Sequence, residues 1–319
     1  MNITRYASAT EAAPVPARRP VRWHIAVFLA PAVLIYIAIM VVPLLETFRL
    51  AFFQGGSEAA SFAGLDNFRL LLGDERWSGQ FWNALWNNTY FFLIHLVVMI
   101  PLGILLAALL SLPRMRATGF YRTTLFMPTM LSFVIVGFAW KLILSPLWGV
   151  APALMHALGL QSWFAPYLGK EAYALTTLGL ISVWQYFGNP MMLVYAAMLS
   201  IPAEILEAAE VDGITGIRQF FTIKLPLLWP TIGLIAILTF VSNFNSFDLI
   251  YTAQGALAGP NLSTDILGTL LYRTFFGAQL QLGDPNMGAT IAAMMFLIIM
   301  VAVSAYLFLV QRKLVRHQF

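Results

Sequence analysis

The sequence predicts an all-α integral membrane protein with six transmembrane helices, and three observations lead to that fold class. First, 60% of the 319 residues are hydrophobic and only 10% are charged, whereas soluble domains carry about 25% charged residues. Second, six segments each have roughly 20 predominantly apolar residues, the length that crosses a bilayer as a helix. Third, Lys and Arg concentrate in alternate connecting segments, which is typical of a membrane protein with a fixed orientation.

The apolar segments place the six helices along the chain. The predicted spans are residues 25–45, 89–112, 123–144, 173–200, 226–250 and 287–310. The first of them contains no Asp, Glu, Lys or Arg, and Lys141 lies near the end of the third, where its long side chain can reach the interface. Several spans contain proline, which membrane helices tolerate because neighbouring helices satisfy the freed carbonyl groups.

Residues 145–169 also lack Asp, Glu, Lys and Arg, but they contain too many helix-breaking residues for a span. These breakers are Pro146, Gly149, Pro152, Gly159, Pro166 and Gly169. We therefore expect an outer loop that contains a short interfacial helix.

The basic residues predict the orientation of the helices. Loop 111–122 alone contains Arg114, Arg116 and Arg122 and no acidic residue, and such loops stay on the cytoplasmic side. Residues 1–24 lack the apolar core and cleavage site of a signal peptide, so we expect a cytoplasmic tail there. The transmembrane domain then covers residues 25–310, and residues 311–319 form a second cytoplasmic tail.

The same orientation places loop 201–225 in the cytoplasm, and its sequence predicts two short helices. Pro202 is a favourable first helical residue, and Gly213 can adopt the left-handed conformation that ends a helix. Thr215 can cap a second helix that runs toward Leu225, where Pro226 begins the next span. Acidic residues between two apolar spans indicate a segment that meets water or another protein.

The fourth and fifth spans each contain a cluster of polar and aromatic residues, at 184–190 and 239–248. Polar groups inside a membrane usually face the interior of the helix bundle. Neutral amides, hydroxyls and aromatic faces suit a sugar, whereas an anionic solute would favour Lys or Arg. Hydrogen bonds between helices, worth roughly 0.6–2 kcal/mol each, are the alternative explanation.

Segment 207–213 (EAAEVDG), followed by Ile223-Lys224-Leu225-Pro226, resembles the EAA loop of binding-protein-dependent ABC importers. Segment 64–68 (GLDNF) resembles a conserved segment of their sugar permeases of the maltose and glycerol-phosphate type. The resemblance implies the type I importer permease fold, and a loop that docks on an ATPase subunit. The residues it assigns to docking are Glu207, Ala208, Ala209, Asp212 and Gly213.

The resemblance also implies a set of substrate-pathway residues. The Gly-x-Pro and Asn-Phe-Asn motifs match the maltose-type permease. By this match, the resemblance implies that residues of the fourth and fifth spans bind sugar. The residues in that set are Gln185, Phe187, Gly188, Met191, Ser242, Asn243 and Ser246.

The family resemblance further implies partners. These are a second permease subunit, a dimer of ATP-binding subunits, an extracytoplasmic solute-binding protein and membrane lipid, but no nucleic acid. ATP and Mg would bind the ATPase subunits, because this chain has no G-x-x-x-x-G-K-[ST] sequence. We expect no catalytic residue, metal site or cofactor on this chain, and a multi-pass location in the bacterial cytoplasmic (inner) membrane.

Three alternatives remain open from the sequence. One is an importer for a phosphorylated polyol or another polar solute. A second is a secondary transporter that works alone, although such proteins usually show an internal repeat and broken helices or coupling acids near the midplane. A membrane-bound enzyme is the third, although no nucleophile–base pair or metal set is visible. We expect His95 in the second span to be a packed or hydrogen-bonded helix residue rather than a ligand.

Overall fold

The computed structural model describes residues 23–55, 61–112, 115–279 and 282–311, and these residues are mainly helical. The first eight helices are α1 (Trp23–Tyr36), α2 (Val42–Ala51), α3 (Asp66–Gly73), α4 (Glu75–Ile94), α5 (Ile100–Leu110), α6 (Thr118–Phe126), α7 (Phe133–Ile143) and α8 (Val150–Ala157). The next eight are α9 (Glu171–Tyr186), α10 (Gly188–Leu199), α11 (Ala203–Val211), α12 (Gly216–Gln219), α13 (Leu225–Phe244), α14 (Phe247–Gln254), α15 (Leu267–Phe276) and α16 (Pro285–Ala305).

Short irregular elements complete the fold. A two-stranded antiparallel ribbon pairs β1 (Phe53–Gln54) with β2 (Ser61–Phe62). π-Helical turns at Ile37–Val41, His95–Met99 and Phe220–Lys224 join α1 to α2, α4 to α5 and α12 to α13, and a fourth, Tyr306–Gln311, follows α16. The chain separates into two compact units, Met1–Glu46 and Thr47–Phe319.

Four continuous helices are long and apolar enough to cross a membrane: Val27–Ala51, Glu75–Leu110, Gly216–Phe244 and Pro285–Phe308. They correspond to the first, second, fifth and sixth predicted spans. The second begins well before residue 89, because Asp74 caps it. The Asp74 carboxylate accepts hydrogen bonds from the backbone N–H groups of Arg76 and Trp77, which satisfies two donors at the helix start.

The third predicted span is bent, and the fourth consists of two helices. Thr118–Met130 and Phe133–Ile143 meet at 93°, because Pro128 begins the last turn of the first piece and Ser132 starts the second. The Ser132 hydroxyl accepts from the N–H of Val134. The fourth span consists of α9 and α10 joined at Phe187, and a bend of 74° follows its end, between α10 and α11 of loop 201–225. Within the described residues, six spans are reached only when bent helices count as one span each.

The fifth span differs from its predicted bounds at both ends. Residues 216–244 form one helix, so the expected second helix of loop 201–225 is continuous with the span rather than separate from it. The span ends at Phe244 rather than residue 250, because two side chains bond to the helix itself. Asn245 Nδ2 donates to Val241 O and Ser246 Oγ donates to Ser242 O, and such bonds compete with the helical backbone pattern.

Segment 145–169 contains the short helix expected there, α8. In the core of the larger unit, α5 packs closely on α10. A Cβ atom added to Gly103 would lie 2.9 Å from the backbone nitrogen of Met191 and 2.9 Å from Cβ of Pro190. The absence of a side chain at Gly103 therefore lets the second and fourth spans touch.

Candidate functional site

A cavity of about 460 Å³ lies where the second, third, fourth and fifth spans meet, and we call it the polar cavity. Its lining residues are His95, Met99, Phe133, Ser182, Tyr186, Asn189, Pro190, Leu193, Ile235, Leu238, Thr239, Ser242, Asn243, Asn245 and Ser246. None of these described residues is Asp, Glu, Lys or Arg. The walls thus combine apolar faces with neutral hydrogen-bonding groups, and the volume falls in the range of ordinary small-molecule sites.

The fifth span contributes three predicted residues to this cavity: Ser242, Asn243 and Ser246. Their position follows from the end of α13, where the helix stops at the level of the cavity. Asn243 is almost fully buried, and its backbone carbonyl accepts a hydrogen bond from Asn88 Nδ2 at 3.0 Å. Its own side-chain Nδ2 is buried and has no hydrogen-bond partner in the described structure.

The predicted residues of the fourth span occupy other places. Gln185 is fully buried, and its Nε2 donates to the carbonyl of Leu131 at 2.8 Å, at the bend of the third span. Phe187 and Met191 belong to the hydrophobic core. A Cβ atom at Gly188 would lie 3.1 Å from the carbonyl oxygen of Leu125. These four residues do not line the polar cavity in this structure, and their role in binding substrate stays a prediction.

Their immediate neighbours Tyr186, Asn189 and Pro190 line the cavity instead. Residues one position apart lie about 100° apart around a helix, so these neighbours face the polar cavity while the predicted residues of the fourth span face other parts of the protein. The rotation of α9 and α10 is set by packing, which a motif does not specify.

Two lining residues, His95 and Ser182, were absent from the predicted set. His95 Nε2 lies 2.9 Å from Ser182 Oγ, and His95 Nδ1 lies 2.8 Å from the carbonyl oxygen of Phe91. The expectation of a hydrogen-bonded helix residue is correct for His95, which is also at the cavity wall. Its polar side chain in the middle of an apolar span was a signal, because such residues often mark functional sites.

A buried polar network fastens the segment between the fifth and sixth spans. The Asp265 carboxylate and the Arg273 guanidinium form two parallel contacts of 2.8 and 3.1 Å. Burial raises the pKa of Asp265 above its ordinary value, and the hydrogen bond from Arg273 opposes that shift. Asn88 joins this segment to the fifth span, because its Oδ1 accepts from the N–H of Leu267 while its Nδ2 bonds to Asn243 O.

Loop 201–225 forms a second candidate site. Helix α11 ends at Val211, and Gly213 adopts φ +76°, the left-handed conformation expected of it. The N–H of Gly213 donates to Glu210 O and the N–H of Ile214 donates to Ala209 O, which together make a Schellman helix ending. Two expectations differ in detail: Pro202 precedes the helix, and the hydroxyl of Thr215 makes no capping bond.

The surface of loop 201–225 combines acidic and apolar groups. Glu207, Ala208, Asp212 and Gly213 are exposed, whereas Ala209 is buried. Several large apolar side chains are exposed beside them, namely Val211, Ile217 and Phe221. On the inner side, Gln219 Nε2 donates to Leu206 O, which links the two arms of the loop.

Comparisons with known proteins point to one family. Residues 99–316 match the family model described as "binding-protein-dependent transport system inner membrane component". The chain is 32% identical over 238 residues to the multiple sugar-binding transport system permease protein MsmF of Streptococcus mutans, covering 75% of this chain and 77% of that protein. It is 28% identical over 280 residues to the lactose transport system permease protein LacF of Rhizobium radiobacter, covering 88% and 91%.

A solved structure has a similar fold. The chain superposes with a TM-score of 0.76 on a chain of a bacterial alginate ABC transporter crystallised with its alginate pentasaccharide-bound periplasmic protein. The superposition covers 92% of this chain and 95% of that chain, at 22% sequence identity. The type I importer permease fold expected from the sequence is confirmed.

Proposed function

Since this chain belongs to the family of binding-protein-dependent transport system inner membrane components, we propose that it is the permease subunit of an ATP-driven importer that moves a carbohydrate across the bacterial cytoplasmic membrane. The relatives include permeases for lactose and arabinooligosaccharides. Family membership favours this function over a secondary transporter that works alone.

The polar cavity is the observation that carries the carbohydrate assignment. Its walls offer Ser182, Asn189, Thr239, Ser242 and Asn243 as neutral hydrogen-bonding groups, beside aromatic and aliphatic faces. A sugar has hydroxyl groups for the first kind of wall and apolar ring faces for the second. Sites that pair with substrate hydroxyls discriminate strongly, because their polar groups are left unpaired by the wrong ligand.

A phosphorylated polyol is the second candidate. One relative, 29% identical over 261 residues, is the sn-glycerol-3-phosphate transport system permease protein UgpA of Agrobacterium fabrum. A phosphate group is bound most strongly by Arg or Lys, and among the described lining residues there is neither. The neutral cavity therefore favours an uncharged sugar.

The continuous fifth helix suggests how ATP hydrolysis reaches the cavity. Gly216–Phe244 has 29 residues, about 44 Å at the rise of an α-helix. One end carries loop 201–225, and the other carries Ser242 and Asn243. Movement of a docked ATPase against the loop would thus be transmitted along one helix to the cavity wall, as alternating access requires.

This mechanism requires several partners. The loop would dock on one subunit of a dimer of ATP-binding subunits, which hold ATP and Mg. A second permease subunit would complete the pathway, an extracytoplasmic solute-binding protein would deliver the sugar, and lipid would surround the apolar spans. Of the residues assigned to docking, Glu207, Ala208, Asp212 and Gly213 form the proposed exposed surface, and Ala209 is buried in this structure.

The proposed orientation has both termini and loop 201–225 in the cytoplasm. Reporter fusions at residues 60 and 260 should give a periplasmic signal, and fusions at residues 116, 212 and 316 should give a cytoplasmic one. A periplasmic signal at residue 212 would contradict both the orientation and the docking assignment.

Reconstitution tests the function itself. The permease pair, its ATPase subunits and its binding protein would be placed in proteoliposomes, with lactose, maltose, raffinose and glycerol 3-phosphate as labelled solutes. We expect ATP-dependent uptake of at least one sugar and none of glycerol 3-phosphate. Uptake driven by an ion gradient without ATP would refute the proposal, and uptake of glycerol 3-phosphate alone would replace the carbohydrate with the polyol.

A further inference from the structure

His95 and Ser182 form a buried pair in the wall of the polar cavity, and its hydrogen bonds fix where each proton lies. His95 Nδ1 is 2.8 Å from the carbonyl oxygen of Phe91. A carbonyl oxygen can only accept, so Nδ1 carries the proton and donates. In the neutral imidazole the other nitrogen, Nε2, is then an acceptor.

The partner of Nε2 is therefore constrained as well. Ser182 Oγ lies 2.9 Å from His95 Nε2, and only the serine hydroxyl can supply the proton of this bond. A hydroxyl has one donor and two acceptor lone pairs. Once its proton is directed to His95, Ser182 can present only acceptor lone pairs to the cavity.

From this chain of hydrogen bonds we infer that Ser182 is an acceptor-only contact for one hydroxyl group of the transported sugar, and that His95 is the positioning residue that fixes this polarity. The inference rests on the proposed carbohydrate function and deepens it. Asn243 has the opposite character, since its buried Nδ2 is a donor without a partner in the described structure. The wall of the cavity thus contains one hydroxyl of fixed polarity, at Ser182, and one residue with an unpaired donor, Asn243.

The pair is suited to positioning because its geometry does not depend on the substrate. Both side chains are almost fully buried, His95 at 3% exposure and Ser182 at 4%. They belong to two different spans, since His95 opens the π-helical turn His95–Met99 and Ser182 lies in α9. A hydroxyl held in this way keeps one orientation before substrate arrives, which reduces the ordering cost of binding.

Fluorine substitution tests the polarity, because fluorine in place of a sugar hydroxyl can accept but not donate a hydrogen bond. In the reconstituted complex, with saturating loaded binding protein, one deoxyfluoro analogue should be transported about tenfold more slowly than the parent sugar, as expected when a buried bond of about 1.4 kcal/mol is lost. The matching deoxy analogue should lose a similar factor. Transport of every deoxyfluoro analogue at the parent rate would overturn the inference.

Two variants test the roles of Ser182 and His95 separately. In Ser182→Ala the penalty against the deoxyfluoro analogue should disappear. In His95→Phe the freed Ser182 hydroxyl can donate, so the penalty should shrink although Ser182 is intact. The Phe91 carbonyl still accepts the backbone N–H of His95, so this variant leaves no orphaned carbonyl. An unchanged penalty in His95→Phe would show that His95 does not set the polarity.

Cysteine labelling separates failure of this inference from failure of the proposed function. The chain contains no cysteine, so Ser182→Cys and Ser246→Cys would each give a single thiol in this subunit. Ser200→Cys is the control, because Ser200 is exposed at the end of α10 and outside the cavity. A water-soluble methanethiosulfonate would be the label, and lactose, maltose and raffinose the protecting probes.

We expect one of these sugars to slow labelling of both cavity cysteines without affecting Ser200→Cys. Protection of Ser246→Cys together with no protection, or no labelling, of Ser182→Cys would overturn the role of Ser182 and leave the carbohydrate function intact. If no sugar protects either position, while some sugar supports ATP-dependent uptake, the polar cavity is not the binding site and the inference fails. Absence of both protection and uptake would overturn the proposed function too.

Discussion

Loop 201–225 and the polar cavity depend on the sequence in different ways. The geometry of the loop is local: Gly213 sets the end of α11, and the bonds that close it join residues at most five positions apart. The cavity is assembled from four spans, and Asn243 in its wall is bonded to Asn88, which lies 155 positions away. A motif can therefore identify the loop residue by residue, while it identifies only the segments that surround the cavity.

The largest effect is expected from Glu207→Lys, which reverses a charge on the exposed face of α11. Transport should fall below about 1% of the native rate, since like charges at an interface cost several kcal/mol, and ATPase subunits should no longer copurify. Glu210→Lys is the matched control, because Glu210 is an exposed acid on the same helix. Equal transport by Glu207→Lys and the native protein would remove Glu207 from the docking surface.

Gly213→Val tests the turn of loop 201–225. A β-branched residue is strained at φ +76°, by about 1–3 kcal/mol, so the turn should rearrange and transport should fall at least about tenfold. Gly159→Val is the control, because Gly159 has φ +70° and, like Gly213, open space around it. If both variants lose transport equally while membrane levels stay normal, the effect is general strain rather than a defect of docking.

Asn243→Ala tests the cavity with little disturbance of the fold. The side-chain Nδ2 has no partner to lose and the carbonyl bonded to Asn88 remains. Transport should fall about tenfold, as expected for loss of a substrate hydrogen bond, while the melting temperature of the complex and the affinity of the binding protein for sugar stay unchanged.

Asn88→Ala is the counterpart to Asn243→Ala. It removes both bonds of a fully buried amide and leaves Asn243 O and Leu267 N without that partner, so the melting temperature should fall. A lower melting temperature in Asn243→Ala than in Asn88→Ala would reverse the two roles.

The smallest effect is expected from Gln185→Ala. Its Nε2 donates a hydrogen bond to Leu131 O, whereas its Oε1 is buried without a partner. The substitution therefore loses one hydrogen bond but also removes an unpaired buried oxygen, and the two effects on stability partly cancel. We expect a modest decrease in melting temperature and a smaller loss of transport than in Asn243→Ala. A KM increase as large as that of Asn243→Ala, with no change in melting temperature, would show that Gln185 contacts the sugar directly.

The spans show the same division between local and distant causes. The apolar lengths predicted the helices of the first, second, fifth and sixth spans, because crossing a bilayer constrains length and hydropathy alone. They did not predict the early start of the second span at Glu75 or the bend at Pro128 and Ser132. The early start depends on one capping residue, Asp74. At the bend, Leu131 O accepts a hydrogen bond from Gln185, which lies 54 positions away in the chain.

The sequence by itself determined the membrane class, the segments that become helices, the turn at Gly213 and the resemblance of loop 201–225 to a docking loop. Each of these follows from composition or from neighbours in the chain. Only the tertiary structure decided which side chains of the fourth span face the polar cavity, and that His95 and Ser182 meet there. The reason is that the rotation of a helix about its axis is set by packing against distant spans, as at Gly103 against Pro190 and Met191.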